Sequence, residues 1–190
     1  VSLDCFSCRF ALLRWLFGRF FVKIRGHPGI TLGRSLASSD VDKRQCVGAP
    51  FKGKNLPNIG LLFISAAGTV EAYSKMNLHS GEEKFFEKGE HFHLVKFDDC
   101  LVANAICADT NNDKHAEHYS KLGASVYIAG VLITEGGYHA DTEAMKEYAN
   151  KYGMLVAMAN HNRPTGGWDA IGKNAALDSN RKVEPGRANP

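Results

Sequence analysis

Three side chains in this sequence have the types and settings for covalent chemistry on a carbonyl-like carbon. Cys107 ends the apolar run 101–107 and is followed by Ala-Asp-Thr-Asn-Asn and a helix signal. A strand-to-helix junction presents a side chain at the rim of a sheet, and a nearby helix N-terminus favours a thiolate. The plainer reading of the same residue is a packed core thiol. Lys75 closes the alternating stretch 69–75. It is either a solvated strand-end lysine or a fixed ammonium that stabilises a thiolate and a developing oxyanion. Glu82 lies in the acidic segment 81–89, whose paired aromatics Phe85 and Phe86 suggest a loop packed onto the domain.

The histidines offer a rival chemistry. His91 and His93 are two apart, and His115 and His118 lie one helical turn apart with Glu117 between them. Imidazoles at such spacings hold divalent metals, yet no HExxH pattern is present. Cys5-Phe6-Ser7-Cys8 is a CxxC with no second CxxC or paired His tract to complete a tetrahedral site.

Positioning these groups requires strands and helices in alternation. Residues 58–66 and 69–75 read as a β-hairpin turning at Ala67-Gly68, and 91–97 alternates as a strand does. The runs 101–107, 125–131 and 154–159 read as buried strands. Helices are expected from Asn111 or Asn112 to about Leu122, closed by Gly123, and over 141–152, closed by Gly153. A short strand follows Gly172. Hairpins followed by strand–helix alternation specify an α/β architecture.

The 190 residues are 44% apolar and 23% charged, which suits one globular domain and excludes wholesale disorder. No apolar run approaches the ~20 residues of a membrane span. The net charge of +3 is too small to argue for nucleic acid. Five cysteines do not make a disulfide scaffold. Charge is nevertheless uneven. Residues 1–50 hold eight basic and three acidic side chains, no Arg occurs between Phe51 and Asn162, and the first Glu is Glu71. Residues 1–45 are therefore read as an atypical Arg-rich segment: a leader, a fragment end or an out-of-frame stretch. Residues 10–24 are apolar with Arg14 and Arg19 embedded, which also fits a cationic amphipathic helix. The organised domain spans 46–183, with a tail over 184–190.

Taken together, the segments resemble the carbon–nitrogen hydrolase (nitrilase) superfamily. Tyr73, Lys75, Leu78, Glu82, Phe86 and Gly89 follow the pattern around that family's lysine. Ile106, Cys107 and Asp109 follow Ile-Cys-x-Asp around its nucleophile. Residues 121–128 and 154–160 add to the likeness. The resemblance implies an αββα sandwich, here lacking recognisable first and last elements. It implies hydrolysis of a non-peptide amide or nitrile through a thioester or thioimidate on Cys107. Lys75 and the backbone N–H of Ala108 would hold the oxyanion, and Glu82 would position Lys75 and the attacking water. It implies no metal or organic cofactor, a small-molecule substrate with water as co-substrate, a homo-oligomer, and a cytoplasmic location.

The sequence departs from the family pattern at the general base, a Glu upstream of the lysine. Asp40 and Asp42 lack its context, and Asp178-Ser-Asn-Arg181 carries Arg where the family has Gly. The alternative expectation is accordingly a catalytically inactive relative that binds or oligomerises. Residues 131–138 and 161–168 are expected to line the substrate pocket as variable loops.

Overall fold

The computed structural model describes residues 45–178 apart from Ala66 and Asp98. The readings placed on the Arg-rich segment, the CxxC, Asp40, Asp42 and the tail lie outside the described residues.

Two sheets stack, and helices cover one of them. The first sheet is antiparallel and contains β1 (Gln45–Phe51), β2 (Asn58–Ile64) and β3 (Val70–Ser74) in that order. The second contains β4 (Leu94–Phe97), β5 (Cys100–Ile106), β6 (Val126–Val131), β7 (Leu155–Asn160) and β8 (Ala175–Leu177), also in that order. Its centre is parallel, β5 to β6 to β7, and both flanking pairs are antiparallel. Parallel neighbours need crossovers. α1 (Asp113–Lys121) supplies the first and α2 (Glu135–Tyr152) the second.

The period-2 alternation of β5, β6 and β7 builds both cores at once. Ala103, Ala105, Tyr127, Ala129, Val156 and Met158 face the helices, where Met145, Tyr148 and Ala149 of α2 and Ala116 and Tyr119 of α1 meet them. The alanines on this face let the helices lie close to the sheet. The opposite residues Val102, Val126, Ile128, Leu155 and Ala157 face the first sheet, meeting Cys46, Leu61 and Tyr73. Burying one side chain the size of Met145, which is 0% exposed, stabilises the fold by roughly 1.5–3 kcal/mol. The order is thus helices, sheet, sheet. A helical layer over the outer face of the first sheet is not among the described residues.

The expected elements form with shifted boundaries. The hairpin pairs Gly60 with Ser74 and Ile64 with Val70. Asn112 caps α1, its Oδ1 accepting the Lys114 N–H at 3.2 Å. The strand expected over 91–97 contains only Leu94–Phe97. Two expectations need correction. α2 begins at Glu135 rather than Asp141, so Gly136 and Gly137 are helical. Residues 131–138 are consequently the end of β6, a connector at 132–134 and the first turn of α2, rather than a long variable loop. β1 went unread because Gly48 and Pro50 interrupt its alternation. It sits at the edge of the sheet and pairs on one side only, which is where a strand tolerates proline.

Candidate active site

The topology gathers chemistry at one edge. Because β5, β6 and β7 are parallel, their carboxyl ends share a rim, and ligands of α/β sheets collect at such rims. Cys107 directly follows β5, the connector 132–134 follows β6, and residues 161–168 follow β7.

Cys107 opens a 3-10 turn (Cys107–Asn111), and the first α-helical residue is Asp113, so the terminus of α1 does not adjoin the thiol. Its φ is 45°, in the left-handed region that a non-glycine residue occupies at a cost of about 1–3 kcal/mol. The surroundings hold that turn in place. The Thr110 hydroxyl donates to the Cys107 carbonyl at 2.8 Å, and the Tyr148 hydroxyl donates to the Thr110 carbonyl at 2.8 Å. Cys107 is partly exposed, whereas Cys46 and Cys100 are buried. Burial pushes the Cys46 thiol far above its ordinary range.

Lys75 directly follows β3 and is 1% exposed. Its ammonium donates to Glu82 Oε2 at 2.5 Å. The same oxygen accepts the His79 N–H at 2.7 Å, so the loop between the two residues closes on itself. Glu82 begins a 3-10 turn (Glu82–Lys84), which is the packed segment expected from the aromatics, although Phe85 itself is exposed. The backbone at Lys75 is fixed on both sides: its N–H donates to the Ile59 carbonyl at 2.8 Å and its carbonyl accepts the Gly89 N–H at 2.7 Å. That second approach requires glycine. A Cβ on residue 89 would lie 2.3 Å from the Ser74 carbonyl oxygen.

The lysine end and the cysteine end meet through Asp109, a residue the sequence showed only as part of a motif. It is 0% exposed. Its Oδ1 accepts the N–H groups of Met76 and Asn77, at 3.2 and 2.8 Å, and the Asn77 amide at 2.9 Å. Its Oδ2 accepts the Ile106 N–H at 2.9 Å and the Tyr73 hydroxyl at 2.7 Å. The structure therefore pairs Lys75 with Glu82 directly and ties both to the Cys107 turn through one carboxylate. Trp168, from the loop expected to line a pocket, is half exposed and meets His79 edge-on with centroids 6.4 Å apart.

The histidines have other partners. His115 is buried, with Nε2 2.9 Å from the Tyr73 hydroxyl and Nδ1 2.9 Å from the Tyr127 hydroxyl. His118 stacks on Phe92 at 3.9 Å, and His93 Nε2 lies 2.9 Å from Glu71. Among the described residues no three His, Cys, Asp or Glu side chains converge as a metal-holding group, and no helix is long and apolar enough to cross a membrane.

No protein-family model matches the sequence, and no curated protein is similar to it. Solved structures are. An amidase from Nesterenkonia sp. superposes with a TM-score of 0.65 at 21% identity, over 75% of this chain and 58% of that one. A CN-hydrolase superfamily protein from Xanthomonas campestris, carrying an arsenic adduct in its active site, gives 0.66 at 14% identity, over 72% and 55%. The fold is that of the nitrilase superfamily. Glutamine-dependent NAD+ synthetase from Acinetobacter baumannii shares it, with a TM-score of 0.67 at 13% identity over 75% of this chain and 29% of that one. The chain thus spans little more than half the length of the nitrilase-fold amidase. Structures of the Nesterenkonia enzyme include the product of Michael addition of acrylamide, and the acetamide moiety of fluoroacetamide, at its active-site cysteine.

Proposed function

We propose that the chain carries the site of a carbon–nitrogen hydrolase acting on small amides or nitriles, with Cys107 as nucleophile. The observation that carries this reading is the buried Lys75 ammonium held on Glu82 and linked through Asp109 to the strained Cys107 turn. The covalent adducts formed by the cysteine of the Nesterenkonia amidase support it.

For an amide, the Cys107 sulfur attacks the carbonyl carbon. The C–S bond forms as the carbonyl π pair moves onto oxygen, and Lys75 and the Ala108 N–H hold that oxyanion. Collapse breaks the C–N bond, and the amine departs with the proton that the thiol gave up. Water then adds to the thioester, with Glu82 beside Lys75 orienting it. The second collapse breaks the C–S bond, releases the acid and returns a proton to the sulfur. Splitting one hydrolysis into two easier steps is the benefit of the covalent route. The reading brings with it the expectations of a homo-oligomer in the cytoplasm that works without metal or organic cofactor.

A second reading, an inactive relative that binds ligand or partner, is favoured by one observation. The first Glu of the chain is Glu71, and it pairs with His93 at 2.9 Å, so no Glu ahead of the lysine is placed to act as general base. Such assistance is typically worth about 10²–10⁴ in rate. The test combines ammonia release from simple amides with peptide mapping after exposure to fluoroacetamide. Turnover with an adduct on Cys107 supports hydrolysis. An adduct without turnover supports the second reading. Preferential labelling of Cys46 or Cys100 overturns both.

A further inference from the structure

We propose that Asp109 is a positioning residue for the Cys107–Lys75 pair, its buried carboxylate clamping the backbone after the lysine to the backbone before the cysteine. The assignment rests on the site reading above and deepens it.

The clamp is two-sided. Oδ1 serves the lysine side, through Met76 and Asn77, and Oδ2 serves the cysteine side, through Ile106. Every contact donates to the carboxyl group, the pattern suited to an ionised acceptor with two equivalent oxygens. No cation shares the site among the described residues, so these donors alone offset the desolvation of a fully buried carboxylate.

The clamp is itself held from behind. The Tyr73 hydroxyl has one proton and gives it to Asp109, so it must accept from His115 Nε2–H. His115 then carries its proton on Nε2, and its Nδ1 accepts from the Tyr127 hydroxyl. Burial holds the imidazole below its ordinary range, which favours this neutral tautomer. A directed chain from Tyr127 through His115 and Tyr73 therefore ends on the carboxylate. It crosses from β6 through α1 to β3, so both sheets and a helix fix where Asp109 sits. Tyr73 and Lys75 share one face of β3 by the period of the strand, and the chain fixes the lysine from that side too.

Asp109→Asn isolates this role. Asparagine has the same shape but one acceptor, and its amide would face the N–H donors of one side. One seam opens while the volume is kept. The experiment measures the rate of iodoacetamide labelling of Cys107, by peptide mapping of the full chain, in the native protein, Lys75→Met, Asp109→Asn and the double variant. An ammonium beside a thiolate promotes its reaction, so Lys75→Met should slow labelling about tenfold in the native background. In the Asp109→Asn background it should change the rate less than twofold. A residue that only stabilised the fold would leave the effect of Lys75 unchanged. Equal slowing in both backgrounds, or none in the native one, overturns the proposal. If Asp109→Asn does not fold, Tyr73→Phe replaces it. That variant removes one donor, and the effect of Lys75 should drop to about threefold, an undiminished tenfold being the refuting result. Ammonia release is scored separately. Coupling without turnover keeps the Asp109 assignment and removes hydrolysis, and turnover without coupling does the reverse.

Discussion

Lys75 and Glu82 form an ion pair whose two ends differ in environment, and the difference predicts unequal effects of removing either one. Lys75 is 1% exposed, whereas the Glu82 side chain is 29% exposed. Glu82→Gln leaves a buried ammonium without a counter-charge. Breaking a fully buried pair from one side costs about 3–5 kcal/mol. Water reaches the carboxylate here, so the expected loss is reduced to roughly 2–3 kcal/mol. For a chain of this size that lowers the melting temperature by about 5–10 °C. Lys75→Met instead removes the buried charge and fills its place with an apolar chain of similar length. Glu82 retains the His79 N–H and contact with water. The expected change is within about 1 kcal/mol, and stabilisation is an acceptable outcome. Thermal melts at pH 7 followed by circular dichroism, with urea titrations as a check, compare the two variants directly. Both should abolish turnover if the chemistry is as proposed. A Lys75→Met protein that loses as much stability as Glu82→Gln would refute the reasoning, because the lysine would then be serving the fold.

Burial keeps His115 from protonating in the folded state, against a smaller opposing pull from Asp109 and with a further lowering from His118. The unfolded chain takes up that proton below about pH 6.5, so stability is full above this pH and falls as pH drops, by at most about 1.4 kcal/mol per pH unit for one proton. Urea midpoints between pH 7 and 5 should show a shallower decline for His115→Gln, and parallel profiles would argue against the assignment. Gly89→Ala should destabilise by about 1–3 kcal/mol and slow the labelling of Cys107, because its Cβ would push against the Ser74 carbonyl and part the chain from Lys75. Urea unfolding and peptide mapping test both parts.

What the sequence revealed of this fold was local. The apolar runs of β6 and β7, the Asn112 cap and the hairpin at Gly68 each carry their signal within a few residues. The elements that escaped are those decided by distant partners. β1 is a strand because β2 lies beside it, and the start of α2 is helical despite Gly136-Gly137. The site divides the same way. Cys107, Lys75 and Glu82 were visible by type and by position after apolar runs. Asp109 was not, because its donors come from residues 73, 76, 77 and 106 and converge only after folding. One available clue was the even spacing of Tyr73 and Lys75 on a strand, set against an aspartate two residues past the cysteine. His115, read as a possible metal ligand by its spacing to His118, instead bridges two tyrosines from different strands.

The backbone at Cys107 sets folding and use against each other. With φ at 45°, residue 107 occupies a conformation that glycine adopts freely and a side chain does not. A copy of this chain released from any demand on its thiol would therefore be expected to drift toward glycine at this position and relax the turn. Alanine, the usual choice for silencing a nucleophile, would keep the strain and remove only the sulfur, so its stability would understate what the turn costs. Position 107 in any descendant sequence is thus a marker of whether the rim is still in service, readable without an assay.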